Sequence, residues 1–177
     1  MERARATLIR RYPFSETSLL IHWCSREHGL IKTMARGGAR PKSPFRGKLD
    51  LFFEAEIQFV RSRRSDLHTL RDCDVVKPRL PLRQSYSRTL ASAYFIELLE
   101  LVAEKETPIE PLHDLLDRAL DHLSKSDVSL RALLFFEKEV AGYLGLGVGK
   151  NQPIEAISGM FGQAPSSRAE LVKIVNA

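Results

Sequence analysis

Cysteine is scarce in this chain: only Cys24 and Cys73 occur in 177 residues. They lie far apart, form no Cys-x-x-Cys pair and supply no disulfide framework. Buried thiols in a reducing, cytoplasmic setting are the expectation. Long apolar runs are missing too, and none approaches the roughly 20 residues needed to cross a bilayer. No membrane partner is expected. The opening, Met1 to Ala6, is polar and leads directly into strand-like sequence, so no secretory signal is expected.

Catalytic and ligand-binding patterns are equally sparse. The run Gly145-Leu146-Gly147-Val148-Gly149-Lys150 invites a nucleotide reading, but Leu144 stands where a phosphate loop needs its first glycine. Asn151 stands where that loop needs Ser or Thr. The run reads instead as a helix C-cap followed by a flexible turn. His22, His28, His68, His113 and His122 share no metal-ligand spacing with either cysteine. Asp114, Asp117 and Asp121 follow helical spacing and read as a solvated face opposite leucines. No serine sits in a Gly-x-Ser-x-Gly elbow. Nothing assembles a nucleophile, a base and an oxyanion donor, so neither an enzyme nor a cofactor is expected.

Acid is scarce where base is abundant. Residues 1–80 hold 17 Lys/Arg against 9 Asp/Glu, whereas residues 81–177 hold 10 against 13; together they make the net charge of +5. The densest stretch runs from Arg36 to Lys48, with five cations, three glycines, two prolines, one phenylalanine and no acid until Asp50. Glycine and proline at this density oppose helix and strand interiors. The stretch therefore reads as a cationic loop between ordered elements, a form suited to a polyanion such as nucleic acid. Arg36, Arg40, Lys42, Arg46 and Lys48 are candidate phosphate contacts. Arg61, Arg63 and Arg64 form a second cationic turn, and Arg10 and Arg11 a third group near the barrel edge. Phe45 is read two ways, as a base-stacking ring or as an anchor holding the loop to the core. Trp23, Phe53 and Phe59 are read as core.

The first 80 residues read as strands at 6–12, 17–23, 29–35, 51–60 and 67–76. In 51–60, Phe53, Ala55, Ile57 and Phe59 alternate with Glu54, Glu56 and Gln58, the period of a half-buried strand. Turns are read at Ser25–Gly29 and Ser62–Asp66. Five short strands with one long loop after the third suit a small closed barrel of the OB type. After the breaker-rich Lys77–Pro81 the period becomes helical. Helices are read at about 85–104, 110–124 and 127–144, with shorter ones at 154–160 and from Ser167 to about Val175. Thr107 with Glu110 resembles a capping box, although Pro111 fits better as a first-turn proline; Ser167 with Glu170 looks like another box. The expected class is α+β: an N-terminal OB-fold five-stranded β-barrel, residues 1–80, followed by an α-helical domain, residues 81–177.

Three segments carry a family resemblance: Arg10-Arg11-Tyr12-Pro13-Phe14-Ser15-Glu16-Thr17-Ser18, Ser25-Arg26-Glu27-His28-Gly29-Leu30, and Ala35-Arg36-Gly37-Gly38-Ala39-Arg40-Pro41-Lys42-Ser43. In order and spacing they resemble the bacterial recombination mediator family RecO. Residues 6–80 look like its OB domain, and residues 84–145 are similar to its helical domain, ending here in Gly142-Tyr143-Leu144-Gly145. The resemblance implies a cytoplasmic, nucleoid-associated DNA-repair protein that binds single- and double-stranded DNA and anneals complementary strands. It also implies work with RecR, contact with the single-stranded DNA-binding protein, and help in loading RecA. The family's DNA-contacting positions would fall on Arg36, Arg40, Lys42 and Arg46, with Lys48 close by. Many members carry a four-cysteine zinc module after the third long helix. Gly145 to Asn151 stand there instead, with no cysteine beyond Cys73, so no zinc is expected. The region that would carry some partner contacts is also short. Two other readings stay open: an RNA-binding OB module, and a protein adaptor acting through its helical domain.

Overall fold

The computed structural model describes residues 1–147 and 152–176. Five strands come first: β1 (Glu2–Pro13), β2 (Leu19–Ser25), β3 (Gly29–Ala35), β4 (Glu54–Val60) and β5 (Leu67–Lys77). They close into a barrel in the order β1-β2-β3-β5-β4, with β4 returning to β1. Every pairing is antiparallel except β3 with β5, which run parallel. This is the expected OB-type barrel. A chain of turns over residues 36–53, not a helix, joins β3 to β4.

The barrel closes because alternate residues on each strand are apolar and point inward. Ala6, Leu8, Ile21, Trp23, Ile31, Ala55, Ile57, Phe59, Leu70 and Cys73 fill the interior. Trp23 is fully buried, and its indole donates to Thr33 Oγ1 at 2.8 Å, so its polar edge is satisfied inside the core. Both cysteines are buried. Burial pushes the Cys73 thiol up to about 12, far from the reactive thiolate range.

One position departs from simple alternation. Glu54 sits where the pattern calls for a solvated residue, yet it is buried. Its carboxylate meets the Arg5 guanidinium, Lys77 Nζ at 3.2 Å and Arg79 Nη2 at 3.5 Å. Arg79, itself buried, also donates to the Phe52 carbonyl at 3.2 Å. Opposite charge makes that burial tolerable.

A short 3-10 turn, Leu80–Arg83, leads to the helices α1 (Tyr86–Val102), α2 (Glu110–Lys125), α3 (Leu130–Tyr143), α4 (Pro153–Phe161) and α5 (Ser167–Val175). Pro111 lies in the first turn of α2, where its missing N–H costs nothing. The Thr107 hydroxyl turns instead to the Lys105 carbonyl at 3.3 Å, so no capping box forms there. The box read at Ser167 and Glu170 is also absent. The Ser167 hydroxyl bonds to the Glu97 carboxylate, and Glu170 accepts from the Tyr86 hydroxyl at 2.6 Å. α3 closes with Leu146 N donating to the Ala141 carbonyl at 2.9 Å. The part of the glycine-rich turn from Val148 to Asn151 lies outside the described residues.

The chain forms two compact units. The first comprises Met1–Arg79 with Glu104–His113, and the second Leu80–Ala103 with Asp114–Ala177. In the second, Leu98, Leu116, Leu120, Leu133 and Val140 are buried, and Phe95 stacks on Phe136 with centroids 4.1 Å apart. In the first, residues 104–113 return to the barrel. Leu30 bridges Lys105, Glu106 N donates to the Leu30 carbonyl at 3.2 Å, and Ile109 is buried.

Candidate nucleic-acid interface

The loop from Arg36 to Lys48 is held at both ends and in its middle. At its start, Ala39 N donates to the Thr17 carbonyl at 2.9 Å and Gly37 N to Ser18 Oγ at 3.4 Å. These bonds stitch the loop to the β1–β2 turn. Gly37 has φ +66°, a conformation that a side chain resists. Successive turns follow, with Ser43 N bonding to Arg40 O at 3.0 Å, Arg46 N to Ser43 O at 3.1 Å and Lys48 N to Phe45 O at 3.0 Å. Phe45 and Leu49 drop into the barrel core. Of the two readings of Phe45, the anchor is the one found. The Cys73 thiol reaches the Lys48 carbonyl at 3.9 Å.

Between these anchors the cations point outward. Arg36, Arg40, Lys42 and Arg46 are exposed, and among the described residues none of them meets a carboxylate. Arg46 donates to the Pro41 carbonyl at 3.3 Å, which steadies its guanidinium without neutralising it. Lys48 differs. Its ammonium lies 3.0 Å from Asp74 Oδ1, and that hydrogen bond raises its pKa.

The second cationic turn stands apart from the first. The loop precedes β4 and the Arg61–Arg64 turn follows it, so about 20 Å of strand separates them. Arg61 is bound in a local network: its Nε lies 2.9 Å from Glu2 Oε1 and its Nη1 2.5 Å from Glu106 Oε2. The Glu2 bond, more than the Glu106 charge, raises the Arg61 pKa, and Arg61 in turn lowers that of Glu2. Arg63 and Arg64 are exposed and meet no carboxylate among the described residues. Thus four of the eight candidate side chains share one loop with open charge, two share a distant turn, and Lys48 and Arg61 are paired with acids.

The acids that capture Lys48 and Arg61 leave no local mark in the sequence. Asp74 is 26 residues from Lys48, and Glu2 is 59 from Arg61. Only strand register brings them together. The helical unit holds a cavity of about 450 Å³, lined by Phe95, Leu115, Phe135 and Phe136, with Arg118 and Arg131 among its walls. Both arginines are exposed, and among the described residues neither meets a carboxylate. Leu115, Arg118 and Ala119 lie on one face of α2, but no spacing rule reveals that α3 leaves a gap beside them. No group of three His, Cys, Asp or Glu side chains fit to hold a metal occurs among the described residues.

Comparison with known proteins agrees with this architecture. Residues 1–79 match the family model described as Recombination protein O N terminal, and residues 83–149 match Recombination protein O C terminal. The DNA repair protein RecO of Pectobacterium atrosepticum is 35% identical over 145 residues, covering 81% of this chain and 58% of the relative. That of Actinobacillus succinogenes is 30% identical over 177 residues, covering 96% of this chain and 73% of the relative. That of Syntrophus aciditrophicus is 29% identical over 130 residues, covering 73% and 50%. The chain spans about half the length of most of the curated relatives it matches.

Proposed function

The chain belongs to the RecO family of DNA repair proteins, and from that premise we propose that it binds single- and double-stranded DNA through the β3–β4 loop and promotes strand annealing. The observation that supports this most directly is the open charge of Arg36, Arg40, Lys42 and Arg46 on a loop pinned by Phe45 and Leu49. Fixed cations offset the repulsion between phosphates, so two strands can approach each other, and each contact releases condensed counterions. Arg63 and Arg64 would contact a strand only if it runs the length of β4. Lys48 and Arg61 contribute less, because binding phosphate would mean giving up Asp74 or Glu2. No nucleotide-driven step is assigned.

Family membership further supports a mediator role with RecR in RecA loading, in the cytoplasm at the nucleoid. The helical cavity favours one partner contact in particular. Apolar walls beside two exposed guanidiniums suit a short acidic segment with a hydrophobic end on a partner protein, and the single-stranded DNA-binding protein is the candidate that family membership offers.

A salt series tests the DNA reading. The log of affinity should fall with log salt at about −0.7 per contact on single strands. Arg40→Ala, Lys42→Ala and Arg46→Ala together should remove about two to three contacts' worth of that slope. A flat dependence in the unmodified chain would contradict the reading. Competition with RNA of equal length separates the RNA-module alternative. Partner capture after nuclease treatment separates the adaptor.

A further inference from the structure

The outer surface beside the basic loop carries exposed aromatic rings that charge neutralisation does not use. β1 changes parity within its length. Up to Leu8, alternate residues Ala4, Ala6 and Leu8 enter the core. An irregularity between Leu8 and Arg10 shifts the register, after which Arg10 pairs with His22 and Tyr12 with Leu20. On β2 the core residues are Leu19, Ile21 and Trp23, so Leu20 and His22 face outward, and Tyr12 faces outward beside them. Tyr12 is 44% exposed, its ring edge-on to His22 with centroids 5.5 Å apart. Two residues on, Phe14 is 52% exposed at the head of a turn closed by Phe14 N donating to the Ser18 carbonyl at 2.9 Å.

A lone exposed ring is ordinary on a protein surface. Here two occur at i and i+2, roughly 7 Å apart along the chain, beside a loop whose Arg36 and Arg40 meet no carboxylate among the described residues. Pro13 pairs with Leu19 and Leu19 with Ala35, which sets Arg36 about two strand spacings, roughly 10 Å, from the chain at Phe14. The loop is tied to this turn through Thr17 and Ser18. Glu16 is the only acid between Arg10 and Trp23. This charge favours a polyanion over an acid-poor apolar peptide, and exposed π-faces favour a polyanion whose bases are unpaired.

We propose that Tyr12 and Phe14 form a base-stacking platform for single-stranded DNA, with Arg36 and Arg40 holding the sugar-phosphate backbone beside it. The inference rests on the DNA-binding reading and adds a source of preference for single over double strands. Phosphate contacts serve both forms, whereas a stacking ring serves only a base free to leave its neighbours.

The test uses the full chain and three ligands of equal length: oligothymidylate, an abasic strand of the same charge, and a duplex. Tyr12→Leu with Phe14→Leu keeps apolar bulk and removes both rings. Affinity for oligothymidylate should drop about tenfold per ring, while the abasic strand and the duplex bind as before. Tyr12→Phe with Phe14→Tyr keeps both rings and should bind like the unmodified chain. Equal losses on all three ligands, no loss on oligothymidylate, or a loss in the ring-preserving variant would each overturn the platform. If Arg40→Ala, Lys42→Ala and Arg46→Ala weaken all three ligands while the leucine pair weakens none, the platform alone falls. If the unmodified chain binds none of them, the DNA reading falls and takes the platform with it.

Discussion

Glu137 is fully buried in the helical unit, and two side chains make that tolerable. Arg168 Nε and Nη2 donate to its two oxygens at 2.7 and 3.2 Å, and the Tyr94 hydroxyl donates to Oε1 at 2.7 Å. Burial first, and then the Glu137 charge, push the Tyr94 hydroxyl far above its ordinary pKa, so it remains a donor. Removing the guanidinium would leave a carboxylate with one neutral partner in the core. Arg168→Met should therefore cost about 3–5 kcal/mol, seen as a lower urea midpoint with an unchanged slope. Adding Glu137→Gln removes the stranded charge and should recover part of that loss. None of this is legible in the sequence. Glu137 stands among Glu and Lys on a helix whose apolar stripe is plain, and Arg168 is 31 residues away.

Among the elements, those with strong periodicity were legible and those resting on small or charged residues were not. The 51–60 alternation marks β4, and the leucines of α2 mark its buried face. β1 begins at Glu2, earlier than the sequence shows, because its inward residues there are Ala4 and Ala6, which give little apolar signal between Arg3 and Arg5. Ser167 and Glu170 have capping-box spacing but find better partners in Glu97 and Tyr86. The basic loop was legible by composition, and the fate of each cation was not, since that depends on which acid the strand register brings near.

The start of β1 also carries a pH effect. Chiefly its hydrogen bond with Arg61, and secondarily the Arg61, His28 and His68 charges, hold the Glu2 carboxyl below its ordinary value of 4.5. A carboxyl lowered by folding stabilises the native state above its unfolded pKa, and that contribution is lost as pH falls through the folded value. Glu2→Gln should therefore melt lower than the unmodified chain at neutral pH and converge with it once pH has fallen below the folded value. Because the pair is about a third exposed, the neutral-pH difference should stay below about 1 kcal/mol. Thermal melts of both chains, stepped downward in pH from neutrality until the two curves meet, read it.

At the scale of the whole molecule, the chain leaves the barrel and comes back to it. Residues 104–113 belong to the barrel unit although α1 intervenes. Sequence period cannot show this, because the segment is short and its ties are to distant residues: Arg61 and His68 to Glu106, and Arg26 to Glu110. Gly29 has φ +67°, and a Cβ there would lie 2.0 Å from the Thr107 carbonyl oxygen, so the β2–β3 turn is shaped to receive the segment. A chain ending after Arg79 would lose these ties, among them the hydrogen bond from Glu106 N to the Leu30 carbonyl. One such bond contributes about 0.5–1.5 kcal/mol, and each 1 kcal/mol moves the midpoint of a domain this size by about 4–8 °C. The truncated barrel should thus melt roughly 2–12 °C below a fragment that retains residues 80–113. Gly29→Ala in the full chain should shift the barrel's melting in the same direction by lifting the segment off. It should also raise the exchange rate of the Glu106 amide, now bonded to the Leu30 carbonyl. If that amide keeps its protection in the alanine variant, the segment does not depend on the turn's shape.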